Sequence, residues 1–204
     1  VEIDPQAFAA NSVGVGVSTV TLPETLEKIG ESAFKEAPLT KIEIPSSVTE
    51  IGDMAFYNCK SLADVKLSTS LKTIGYSVFS GCSALQNVVI PSSVTSIGEL
   101  AFEASGLQSV TVPNSVTSIG AGAFYHCSSL ETVVVPNSVK KLGSNCFQYC
   151  DKLKSLTLPD AEPERLYPSK ENFLSSSTDY SYGFKGSSLV EIKGNASASC
   201  PQFA

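Results

Sequence analysis

Six cysteines, one histidine and a few interleaved charges are the side chains with chemistry to offer. His126 and Cys127 are neighbours with the types needed for a thiol nucleophile and the imidazole that would take its proton. Adjacent residues on a turn diverge, however, so a Cys127 packed inward sends His126 outward. Zinc needs paired ligands at short spacing; there is no C-x2-C pair, and Cys146-x3-Cys150 lacks a second pair to complete a site. Glu43 and Asp64 suggest the two carboxylates of a glycosidase, which work when their pKa values are pushed apart. Lys41 and Lys66 alternate with them and keep both ionised. These residues assemble no catalytic, cofactor or metal site, and a non-enzymatic protein is expected.

The cysteines read more simply as packing groups. Cys59, Cys82, Cys127 and Cys150 each stand three places after a phenylalanine, and Ala37 and Ser105 take the same place elsewhere, which describes a slot for a small side chain. Parallel side chains one repeat apart would hold their Cβ atoms farther apart than the ~3.8 Å of a relaxed disulfide, so free thiols are expected. Cys146 replaces the alanine found at Ala33, Ala55, Ala101 and Ala123, and Cys200 lies in the tail.

The elements that would position these residues come from a repeat. Phe34, Phe56, Phe79, Phe102, Phe124 and Phe147 recur at intervals of 22 or 23, as do Gly30, Gly52, Gly75, Gly98, Gly120 and Gly143 and the leucines from Leu39 to Leu153. One unit reads L-x-x-V-x-I-P-S-S-V-T-S-I-G-x-x-A-F-x-x-C-S-x. Its first six residues suit a short parallel strand, with Leu85, Val88 and Ile90 inward in one example. Pro91 ends the ladder, Val94 and Ile97 return inward on the opposite wall, Gly98 is expected to supply a turn conformation that a Cβ would resist, and Ala101 and Phe102 are expected on a short helical turn. No unit buries its apolar positions alone; stacking creates the core. Strands are expected at 17–22, 39–44, 62–67, 85–90, 107–112, 130–135, 153–158 and 189–193. The expected fold class is a right-handed solenoid, mostly β with short helical turns, of about eight rungs with one parallel sheet.

The expected organisation is a single domain: a degenerate cap over 1–16, regular repeats over 17–159, an irregular insertion at 160–183, a last repeat at 184–193 and a tail at 194–204. The unit with its IPSSVTSIG, Ala-Phe pair and following cysteine resembles the BspA-like, Treponema-type leucine-rich repeats, over 17–159 and 184–193. That resemblance implies the solenoid strongly. It also implies adhesion to host or bacterial proteins from an extracellular or cell-surface location, and it supplies no catalytic residues.

Length and charge agree. The 204 residues, 42% hydrophobic and 17% charged, can form a continuous core. With 14 basic against 20 acidic groups, and Arg165 the one arginine, no basic surface exists for nucleic acid or anionic lipid. No apolar run approaches the ~18 residues of a membrane span, so no membrane insertion is expected. The chain begins at Val1 without a leader and reads as a mature or excised segment, expected to be monomeric.

Two outward columns flank the inward strand positions. Toward the first rungs they carry Lys41, Glu43, Asp64 and Lys66, opposite charges on adjacent rungs that favour in-register pairing. Further on they become uncharged: Asn87, Val89, Ser109, Thr111, Thr132, Val134, Ser155 and Thr157. Such a surface has few charges to desolvate and little side-chain entropy to lose, and it is the expected contact for a protein or glycoprotein ligand, bordered by Tyr167, Tyr180 and Tyr182 of the insertion. The alternative is a spacer without a ligand. Asn195-Ala196-Ser197 is the one glycosylation sequon.

Overall fold

The computed structural model of the chain describes residues 1–10 and 16–159, together with the backbone of 164–165 and 191–193. Each turn of the chain contributes to three walls around one apolar cluster. The strand wall holds β3 (Lys41–Glu43), β5 (Asp64–Lys66), β8 (Ser109–Thr111), β10 (Thr132–Val134), β12 (Ser155–Thr157) and β14 (Glu191–Lys193). The outer wall holds β1 (Glu2–Ile3), β2 (Lys28–Ile29), β4 (Glu50–Ile51), β6 (Thr73–Ile74), β7 (Ser96–Ile97), β9 (Ser118–Ile119), β11 (Lys141–Leu142) and β13 (Glu164–Arg165). All pairings are parallel and in register, for example Thr132 between Ser109 and Ser155. The strand wall alternates as the sequence pattern requires, with Val110 and Val133 buried and their neighbours exposed.

The third wall is a ladder of phenylalanines. Phe8, Phe34, Phe56, Phe79, Phe102, Phe124 and Phe147 stack ring on ring, with centroids 5.1–5.6 Å apart and planes within 12° of parallel. Seven turns of the chain carry the seven rings, close to the expected eight. Phe8 extends the file to the cap at 1–10, as the echo of the repeat around it implied.

The backbone that carries these rings differs from the expected helical turn, and there is no helix among the described residues. Alternate amides point in two directions. Leu100, Phe102 and Ala104 donate to Ala121, Ala123 and Tyr125 of the next rung (3.0, 2.8 and 2.8 Å), whereas Glu103 and Ser105 close local turns onto Leu100 and Phe102. This zigzag requires left-handed residues two places before and after each Phe from Phe34 to Phe147: Leu100 has φ 56° and Ala104 φ 50°, and Gly81 and Gly122 occupy equivalent places with φ 74° and 59°. A helix would satisfy its amides internally and leave the rungs unjoined; here the wall exchanges half of those bonds for a ladder between rungs.

The repeat glycines serve closeness, correcting the expectation for Gly98. Among the described residues Gly81 and Gly122 are the glycines with positive φ, and Gly98 is not one of them. A Cβ built on Gly98 would stand 2.7 Å from the carbonyl carbon of Gly75, so Gly lets one rung settle onto the next.

Two expected strands do not form, at 17–22 and 85–90. The first is an edge with a neighbour on one side, joined by the Thr40 N–H to the Ser18 carbonyl at 3.4 Å. In the second, Asn87 has low strand propensity, and Lys66 and Thr111 give Val89 no apolar cross-strand partner.

Candidate interaction face

The cysteine column lies inside the stack. The Cys59, Cys82, Cys127 and Cys150 thiols are free and buried, and each donates to the carbonyl of a phenylalanine on the preceding rung: Phe34, Phe56, Phe102 and Phe124, at 3.0–3.2 Å. Burial pushes the Cys59, Cys127 and Cys146 thiols up to about 12, and Cys82 and Cys150 also well up, so at neutral pH they are inert packing groups. His126 points outward, stacked on Tyr149 at 4.6 Å with Tyr125 edge-on to both. Nucleophile and base therefore face opposite ways. This aromatic cluster escaped the sequence reading, although the signal was there: aromatic residues in the two places after Phe124 and the second after Phe147.

The carboxylates are likewise structural. Lys41 bridges Glu43 at 2.8 Å and Asp64 at 3.5 Å, and Lys66 lies 4.0 Å from Glu43. The hydrogen bond from Lys41 holds the Glu43 carboxyl below its ordinary range, with the two lysine charges adding to it. A general acid needs the opposite shift. Lys41, Glu43 and Lys66 line a groove of about 610 Å³ at the first rungs of the strand wall, with Thr19, Thr21 and Thr69 beside them.

Farther along, the character of the face changes. In the sheet of β8, β10, β12 and β14, Ser109, Thr132 and Ser155 form one outward column and Thr111, Val134 and Thr157 the other. Val134 is 39% exposed. Val89 and Asn87 lie on the adjacent rung outside this sheet, and Val89 is the most exposed large hydrophobic side chain among the described residues, at 82%. Tyr167, Tyr180 and Tyr182 lie outside the described residues, as do Cys200 and the sequon. No helix among the described residues is long and apolar enough to cross a membrane.

Parallel strands repeated every 22 or 23 residues, apolar positions in file and a surface carried on one strand wall define a leucine-rich repeat solenoid. The chain belongs to the BspA type leucine rich repeat family, whose pattern matches in six copies over residues 1–128 and 95–202. A leucine-rich repeat protein of Bacteroides ovatus is similar at 43% identity and TM-score 0.64, over 66% of this chain and 36% of its own. The T. pallidum leucine rich repeat protein is 36% identical with TM-score 0.66, over 69% of this chain and 67% of its own. The pneumococcal vaccine antigen PcpA shares the fold at 22% identity and TM-score 0.54, over 78% of this chain and 48% of its own. The chain thus spans about a third of the B. ovatus protein's length. No curated protein matches it.

Proposed function

We propose that this chain is a non-enzymatic, extracellular or cell-surface repeat domain that binds a protein or glycoprotein through its strand wall. One observation carries the reading: of the four exposed large hydrophobic side chains among the described residues, Val89 and Val134 stand on that wall, beside small uncharged ones. Exposed apolar groups gathered on one face mark contact surfaces, whereas a spacer needs only uniform polarity. Charged residues stand at the two ends of the wall, Lys41, Glu43, Asp64 and Lys66 at the first rungs and Glu191 and Lys193 at the last, and the uncharged contact between them has little to desolvate. Membership of the BspA type family supports adhesion and a surface location. Replacing Val89 and Val134 together by Lys is expected to abolish binding to a captured ligand and leave melting unchanged, since both side chains reach solvent. Unchanged affinity in that stably folded variant would exclude the strand wall.

A further inference from the structure

We propose that the solenoid is hinged around residues 62–97, where the strand wall opens and closes while the phenylalanine wall stays joined. The strand wall carries a bond that recurs at the end of three rungs. Ile44 donates to Lys66, Val112 to Val134 and Val135 to Thr157, at 2.9, 3.3 and 2.9 Å. Among the described residues it has no counterpart from Leu22 to Glu43 at the first edge, nor in the interior from Leu67 to Val89 or from Ile90 to Thr111. One backbone bond, Gln108 N–H to the Gln86 carbonyl at 2.9 Å, joins residues 85–90 to the next rung. The inward Val88 is half-buried, whereas Val110 and Val133 in the same file are 3% and 0% exposed.

The outer wall breaks one junction earlier. Gly30, Gly52, Gly98, Gly120 and Gly143 each donate to an isoleucine carbonyl of the preceding rung, but Gly75 has no such bond to Ile51, and β4 does not pair with β6. The phenylalanine wall is continuous through all of these junctions. Met54, Phe56 and Asn58 donate to Tyr76, Val78 and Ser80, and Ser77, Phe79 and Gly81 to Glu99, Ala101 and Glu103, at 2.7–3.0 Å. The rings also stack without a gap, at 5.4 and 5.5 Å.

Side chains bridge the outer-wall gap, with the Tyr76 N–H donating to Asp53 Oδ1 at 2.9 Å and Ser68 Oγ to the Val48 carbonyl at 2.6 Å, so the open junctions are the two on the strand wall beside residues 85–90, where the other two walls are closed. Such a stack bends about its closed walls, because missing ladder bonds lower the free energy of local opening while rigid stacked layers move as bodies. The consequence is a strand wall whose curvature changes at Val89.

Thiol labelling under native conditions in a Cys200→Ser background tests this, since the five other native thiols are buried. Val65→Cys places an inward probe beside the open junction and Val133→Cys places one within the intact sheet, and cysteine packs as a small hydrophobe at both. The Val65→Cys probe is expected to react roughly tenfold to a hundredfold faster, with Cys82 still protected. Equal rates would overturn the hinge. So would Cys82 reacting as fast as the Val65→Cys probe, which would mean that the whole rung unfolds. Hydrogen exchange on the unmodified protein gives a second reading. The Gln108 and Glu131 amides make bonds of 2.9 and 2.8 Å, yet Gln108 is expected to exchange at least tenfold faster. Equal protection of the two amides would refute the proposal.

Discussion

Ala104→Gly discriminates between the zigzag phenylalanine wall and a helical turn by the sign of its effect. Ala104 is exposed, has φ 50° and donates its amide to Tyr125 at 2.8 Å, so the substitution removes a methyl group that faces solvent and leaves the ladder bond in place. A left-handed conformation costs an L-residue roughly 1–2 kcal/mol, which Gly avoids. Against this stands the extra freedom Gly gains in the unfolded chain, about 0.5–1 kcal/mol. The balance is a stabilisation of about 0.5–1 kcal/mol. In a helix the same change would destabilise by about 1 kcal/mol. For a chain of this length 1 kcal/mol moves the melting temperature by roughly 2–4 °C, so calorimetry should find Ala104→Gly melting about 1–4 °C higher. Ala101→Gly is the control: Ala101 is fully buried without positive φ, and its replacement should lower the melting temperature by a few degrees. If both variants melt lower by similar amounts, the alternating backbone is wrong.

Gly98→Ala should destabilise by about 1–3 kcal/mol, because the added Cβ meets the Gly75 carbonyl at under 3 Å and rung spacing has to give; unchanged denaturant unfolding would contradict the close approach. The buried thiols predict alkaline sensitivity. Because their folded pKa values lie above the ordinary 9.0, with Cys127 and Cys146 at about 12, the folded state keeps protons that the unfolded chain loses. Their contribution is complete below pH 9 and falls between about pH 9 and 12, by up to about 1.4 kcal/mol per pH unit for each thiol. Melting should be insensitive to the thiols at neutral pH and fall on alkalinisation, and replacing Cys127 by Ala should reduce that slope; an unchanged slope would mean the thiol is not buried.

Much of this was legible because a solenoid writes its contacts at a fixed interval. The spacing of Phe34 to Phe147 placed the ring file, the residue three places later placed the thiols, and alternation in Thr132, Val133 and Val134 placed one side chain in the core between two on the surface. The backbone of the phenylalanine wall was not legible. Leu100, Met54 and Glu36 adopt positive φ although nothing in their side chains asks for it; the ladder to the next rung imposes it. The Gly98 expectation failed for a related reason, since a glycine needed for closeness and one needed for φ look alike in a sequence. The missing strand at 85–90 was hidden because Leu85, Val88 and Ile90 keep the repeat pattern, and what is lost is pairing to the rungs on either side.

The proposed binding role is tested most directly by the footprint of a bound ligand. The folded domain would be used to capture a partner from host extracellular matrix or co-resident cell surfaces, the partner purified, and hydrogen exchange compared with and without it. Protection is expected at residues 109–111, 132–134 and 155–157, and it should vanish with the Val89→Lys, Val134→Lys double substitution. Protection confined to the outer wall, at 96–97 and 118–119, or to the ridge of Tyr125, His126 and Tyr149, would contradict the account.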